Sequence, residues 1–127
     1  ITHEVKAILD WELSTLGNPI ADFTYHMMSW RLPAGAKGLG MMGSDLKSLN
    51  IPSENEYAEL YYKKTGREKI DNWDFYMAYN IFRLAGIAQG IVGRVRDGTA
   101  SSSEAKNYEA FVPILGKLGW SIVEGIK

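Results

Sequence analysis

The 127-residue sequence contains no cysteine, which excludes disulfide bonds and zinc sites built on thiolates. It also lacks an excess of either charge, because 14 basic side chains stand against 15 acidic ones. Without a basic field, we expect neither nucleic acid nor an anionic lipid surface as a partner. The absence of cysteine fits a reducing compartment, so we expect a cytoplasmic protein.

Long apolar runs and targeting segments are missing as well. The longest apolar stretch is interrupted by Arg83, Gln89 and Arg94. The given sequence does not start with the charged and then apolar segment that is typical of a signal peptide. The sequence therefore predicts no membrane span. With 46% hydrophobic residues and no internal repeat, it predicts a single domain over residues 1–127.

Cap and turn residues divide the chain into short elements. The predicted elements are a strand over Val5–Leu9 and helices from Pro19 to about Trp30, Ser53 to Gly66, Asn72 to about Asp97, and Ser101 through Val123. The predicted N-caps are Asn18, Ser53 with Glu56, Asp71, and Ser101 with Glu104. The glycine-rich segment from Arg31 to Pro52 is predicted as a loop. The predicted fold is mainly α, with one or two short amino-terminal strands.

The third helix carries apolar residues around most of its circumference, which predicts a central, buried helix. Gly86, Gly90 and Gly93 would let neighbouring helices approach it closely. In the last helix, Pro113 is expected to kink or split the helix, because proline lacks the backbone N–H donor.

The most informative motif is ILDWELSTLGNPIADFTY at residues 8–25. Asp10 and Glu12 follow a short apolar run, and Asp22 lies just after a helix start. Magnesium takes one or two protein carboxylates and completes its shell with water and phosphate oxygens, so Asp10 suffices as a ligand. From spacing alone, however, a polar turn that ends a strand is the favoured interpretation.

The motif resembles the metal-binding segment of aminoglycoside phosphotransferase-like kinases. A second segment, FRLAGIAQGIVGRVRDGTASS at residues 82–102, resembles a branch allied to acyl-CoA dehydrogenase-associated kinase-like domains. The resemblance implies that Asp10 holds Mg²⁺ against the phosphates of ATP or another nucleoside triphosphate and that Asp22 braces the catalytic loop. Glu12 would be a second metal contact or a support for Asp10, with a surface acid as the equal alternative.

The same resemblance implies that the chain is the helical carboxy-terminal substrate lobe of a small-molecule phosphotransferase. The HGD-x-x-x-x-N catalytic loop and the nucleotide-binding lobe of that family do not occur in the sequence, so the catalytic residues are expected upstream of Ile1. We therefore expect this chain alone to be inactive. The acceptor would be a hydroxyl, with hydroxyacyl thioesters among the candidates. The alternative is a non-catalytic helical module that forms a homodimer through exposed apolar surface.

Four further sets of side chains are open to two interpretations each. For His26, a packed imidazole is favoured over a zinc ligand, and for Arg83 a carboxylate partner is favoured over a substrate groove. Core packing is favoured over a ligand-lined cleft for the aromatic residues, which are Tyr57, Tyr61, Tyr62, Trp73, Tyr76 and Tyr79. Packing is also favoured over substrate contact for Met27, Met28, Met41 and Met42.

Overall fold

The computed structural model describes residues 4–10, 12, 14–35 and 39–126. The elements in these ranges are α1 (Pro19–Met27) with a 3₁₀ turn (Met28–Trp30), α2 (Glu54–Thr65), α3 (Trp73–Arg96), a second 3₁₀ segment (Ser103–Asn107) and α4 (Tyr108–Gly125). The prediction of a mainly α fold is therefore confirmed. None of the helices in these ranges is both long enough and apolar enough to cross a membrane.

The predicted amino-terminal strand is not formed. Residues 4–10 are irregular and exposed, with Val5 at 86% and Leu9 at 80% of full exposure. A strand obtains its backbone hydrogen bonds from a neighbouring strand. In the described ranges, β pairing is limited to one isolated parallel bridge between Pro33 and Met42, so the apolar run has no sheet to join.

The predicted starts of α1 and α2 are confirmed. The Asn18 side chain accepts a hydrogen bond from the Ile20 backbone N–H at 2.9 Å, with Pro19 at the first helical position. Ser53 and Glu56 form a complete capping box at the start of α2. At its end, Gly66 adopts the left-handed conformation with φ of 65°, where glycine carries no steric penalty.

The predicted starts of the other two helices need correction. The N-cap of α3 is Asn72 rather than Asp71, and it makes no side-chain capping bond. Ser102, not Ser101, accepts the hydrogen bond of the Glu104 N–H at 3.2 Å, and the helix so capped is the 3₁₀ segment. Because two adjacent polar residues stand at each start, spacing alone did not select between them. The α4 helix then runs unbroken through Pro113.

The core lies where α1, α3 and α4 meet. Its buried members come from these helices and the 3₁₀ turn after α1, and they are Met27, Met28, Leu32, Met77, Ile81, Leu84, Ala88, Phe111 and Leu115. The most extensive helix packing is between α3 and α4, followed by that between α1 and α3. The α3 helix is thus the element around which the other two are arranged.

The predicted central position of α3 is confirmed, but its predicted burial is wrong for part of its surface. One face is buried, whereas Phe75, Tyr79, Phe82 and Ile87 are exposed. The predicted close helix approach at Gly86, Gly90 and Gly93 is also wrong, because a Cβ at each position would meet no atom within 4 Å. The apolar pattern did not reveal which side of the helix would be covered.

Candidate functional site

Asp10 lies at the end of the irregular segment, where its carboxylate is exposed. Its backbone has φ of 70°, a left-handed conformation that Asp and Asn tolerate better than most residues. Glu12 is also exposed, while Trp11 and Leu13 lie outside the described residues. Both carboxylates are therefore accessible, and a cation shared between them stays a prediction.

Asp22 lies in the first turn of α1, on the solvent side. An acid at this position also interacts favourably with the positive end of the helix. In the described ranges, no group of three or more histidine or acidic side chains gathers into a cation site. Since Mg²⁺ bound to phosphates needs only one or two carboxylates, the assignment of Asp10 stays a prediction.

Two polar side chains of α3 position the helix that carries Asp22. The amide of Asn80 is fully buried, and its Nδ2 donates to the Ala21 carbonyl at 2.9 Å and to Thr24 Oγ1 at 2.9 Å. At the start of α1, Asn18 Nδ2 donates to the Tyr76 hydroxyl at 2.8 Å. The first two turns of α1 are therefore tied to α3 by directional bonds.

The buried amide of Asn80 is only partly satisfied. Its Oδ1 has no hydrogen-bond partner among the described residues. A buried polar atom without a partner is costly, commonly by about 1–3 kcal/mol. Asn80 therefore fixes how α1 is positioned along α3, and it adds little net free energy of folding.

A polar cluster that sequence reasoning missed joins the loop, α2 and α3. The guanidinium of Arg31 donates to both oxygens of Glu54, from Nη2 to Oε1 at 2.7 Å and from Nε to Oε2 at 3.0 Å and Oε1 at 3.1 Å. Its Nη1 donates to Asp74 at 2.6 Å. The indole Nε1 of Trp73 also donates to Glu54 Oε1 at 2.7 Å. Burial lowers the pKa of Arg31, but hydrogen bonds to Glu54 and Asp74 outweigh that effect and raise it.

One aromatic cluster joins α1, the following 3₁₀ turn, α2 and the start of α3, and it includes His26. Outside it, Tyr76 pairs with Phe75 and Tyr79 is 50% exposed, so the predicted core packing is wrong for Tyr79. The rings of Phe23 and Tyr61 are stacked with centroids 3.8 Å apart. His26 lies edge-on to Trp30 at 5.7 Å and tilted against Tyr57 at 5.5 Å. His26 is exposed, so it contacts these rings at the edge of the cluster and is not a buried imidazole.

The other sets of side chains divide between core and surface. The prediction that Arg83 has a carboxylate partner is wrong, because its guanidinium is exposed and makes no salt bridge with a described residue. The guanidinium instead lies 4.8 Å from the centroid of the Tyr25 ring, within the range of a cation–π interaction. Met27 and Met28 are buried in the core, whereas Met42 is exposed in the loop. Burial raises the pKa of the Tyr62 phenol.

The chain is similar to a set of much longer proteins. It is 42% identical over 92% of its length to acyl-CoA dehydrogenase family member 10 of Mus musculus, and the match covers 11% of that protein. It is 34% identical over 91% of its length to acyl-CoA dehydrogenase family member 11 of Homo sapiens, covering 15% of that protein. Probable acyl-CoA dehydrogenase IBR3 of Arabidopsis thaliana is 34% identical over 79% of the chain, with 13% of the relative covered.

No protein-family model matches the chain, and no solved structure has significant similarity to it. The chain spans only 11% to 15% of the length of these relatives, so their names describe proteins much larger than the matched region. The chain is thus a homologue of one short segment of proteins named as acyl-CoA dehydrogenase family members 10 and 11 and IBR3.

Proposed function

We propose that the chain is the carboxy-terminal helical part of an ATP-dependent and Mg²⁺-dependent phosphotransferase of the aminoglycoside phosphotransferase-like type. The motif at residues 8–25 carries the proposal, because it combines an exposed Asp10 with Asp22 on a helix held in place by α3. Similarity to acyl-CoA dehydrogenase family members agrees with the branch indicated by residues 82–102.

The carboxylates present suit the ion. Mg²⁺ binds hard oxygen ligands and keeps several waters, which fits one or two accessible carboxylates better than a closed protein cage. Asp10 would hold the ion, Glu12 would contact or support it, and Asp22 would accept hydrogen bonds from the catalytic loop. When bound, Mg²⁺ neutralises charge on the transferring phosphoryl group.

Phosphoryl transfer also needs a residue that orients the acceptor hydroxyl and a second metal ligand. In the proposed arrangement, the Asp and Asn of a catalytic loop supply these functions from a longer polypeptide, and the present chain alone does not turn over. The acceptor class that we would test first is a hydroxyacyl thioester, because the names of the relatives refer to acyl-CoA. No nucleic acid or membrane surface is part of the proposal.

The test uses a longer polypeptide that joins this chain to a catalytic loop and a nucleotide-binding lobe. The informative variant is Asp10→Asn, because Asn also tolerates the left-handed φ of 70° and the change removes mainly the charge. We expect Mg²⁺-dependent phosphoryl transfer to fall by at least about 100-fold. Asp71→Asn, at an exposed acid that caps no helix, is the matched control and should retain activity. Equal activity of the two variants would contradict the assignment of Asp10.

A second candidate is the self-associating helical module, which one observation favours. On α3 and α4, exposed apolar side chains line a cavity of about 460 Å³, and they include Phe75, Tyr79, Phe82, Val123 and Ile126. Exposed apolar patches of this kind often mark contacts between proteins. Sedimentation equilibrium of the chain and of Phe82→Ser would test it, since a homodimer through this face should dissociate in the variant. A chain that stays monomeric at all concentrations would eliminate this candidate.

A further inference from the structure

We propose that the cavity between α1 and α2 binds an amphiphilic anion, that is, a small molecule with an apolar body and one anionic group. The cavity has a volume of about 460 Å³, within the range of small-molecule sites. Its lining residues are Phe23, Tyr57, Leu60, Tyr61, Lys64 and Thr65. Binding in this cavity does not depend on the proposed phosphoryl transfer.

The walls of the cavity are apolar and come from both helices. Phe23 of α1 lies parallel to Tyr61 of α2 with centroids 3.8 Å apart, and within 14° of parallel to Tyr57 at 6.0 Å. Leu60, beside them on α2, is 47% exposed. An apolar ligand body that covers Leu60 and the ring edges would remove this surface from water, which favours binding.

The positive charge of Lys64 favours an anionic head group on the ligand. Lys64 is the charged residue among the lining residues of the cavity, and no carboxylate lines it. Lys64 is exposed and makes no ion pair with a described residue, whereas nearby Lys69 lies 3.4 Å from Glu59. An ammonium group at the rim of an apolar cavity is complementary to an anionic head group.

Two other cavities formed by described residues do not combine these properties. The groove beside α2 is lined by two basic and two acidic side chains, namely Lys47, Lys63, Glu56 and Glu59. An anion attracted by the lysines would therefore be repelled by the glutamates. The cavity on α3 and α4 has no charged lining residue. Lys64 lies in the last turn of α2, where a basic residue also interacts favourably with the negative end of the helix dipole. That interaction alone would place no ligand on Phe23 or Leu60.

The experiment compares two probes that differ in charge. One is 8-anilinonaphthalene-1-sulfonate, and the other is N-phenyl-1-naphthylamine, which lacks the sulfonate. The variants are Lys64→Gln and Leu60→Ser, with Lys63→Gln as the matched control because Lys63 does not line this cavity. All the substituted side chains are exposed, and circular dichroism melts establish that each variant folds.

We expect Lys64→Gln to weaken binding of the sulfonate probe by about fivefold, as for one partly exposed ion pair, and to leave the neutral probe unchanged. Leu60→Ser should weaken both probes, and Lys63→Gln neither. Backbone amide shifts in α2 should change on titration. Equal effects of Lys64→Gln and Lys63→Gln would overturn the proposal. So would binding that is lost in Phe82→Ser on the α3 and α4 face but retained in Leu60→Ser.

Discussion

Glu54→Ala tests how α2 is held on the bundle. The Glu54 carboxylate accepts hydrogen bonds from Arg31 and from Trp73 Nε1, and its side chain is 22% exposed. Removing it leaves the Trp73 donor without this acceptor, which costs about 1–3 kcal/mol. Arg31 keeps Asp74 and is 25% exposed, so water replaces part of what it loses. We expect the free energy of unfolding to fall by about 2–4 kcal/mol.

The assay is urea denaturation followed by tryptophan fluorescence and circular dichroism. Glu54→Gln is the first control, because it keeps one oxygen acceptor for Trp73 while it removes the charge and the Oε2 acceptor of Arg31 Nε, and its cost should lie between wild type and Glu54→Ala. Glu59→Ala is the second, because its partner Lys69 is 3.4 Å away and both side chains are mostly exposed. We expect Glu59→Ala to cost less than about 0.5 kcal/mol. A Glu54→Ala variant as stable as Glu59→Ala would refute the reasoning.

Three further predictions, which use four substitutions, follow from local geometry. Gly90→Ala should stabilise α3 by up to about 1 kcal/mol, because a Cβ there meets open space. Gly119→Ala should stabilise α4 less, because a ring carbon of Phe82 would lie 3.1 Å from the new Cβ. Thermal melts of the two variants test this order. Leu115→Ala removes a fully buried side chain and should cost about 2–5 kcal/mol in urea denaturation. Hydrogen bonds from the Ser53 side chain and backbone lower the pKa of Glu56, so the capping box stabilises the fold above the unfolded pKa of about 4.3 and is lost as pH falls through the folded value. The stability lost in Ser53→Ala at pH 7 should therefore shrink at pH 3, and a pH-independent loss would contradict the capping box.

The parts of the fold that sequence predicted correctly depend on near neighbours. Asn18 with Pro19 and Ser53 with Glu56 form their caps within three residues of each other, so their spacing contained the information. The predicted starts of the other two helices are wrong, because Asn72 begins α3 without a side-chain cap and Ser102 caps a 3₁₀ segment that precedes α4.

Features that depend on distant partners were missed. Arg31 reaches Glu54 and Asp74 across 23 and 43 residues, and no local pattern indicates such a pair. Arg83 was expected to need a carboxylate but is exposed over the Tyr25 ring, because the apolar pattern of α3 overstated its burial. The motif around Asp10 indicated a metal role, yet the strand expected before it requires a partner strand that the described residues do not supply.

The long separations within the Arg31 cluster also have a kinetic consequence. Its contacts close chain segments of 23 and 43 residues, and the entropy of closing them must be lost before the bonds form. The packing of α3 against α4 also closes long segments, but it is the most extensive helix packing in the described residues, so many more contacts offset the entropy lost there. Glu54→Ala should therefore accelerate unfolding and leave the refolding rate nearly unchanged, which would identify the docking of α2 as a late step in folding.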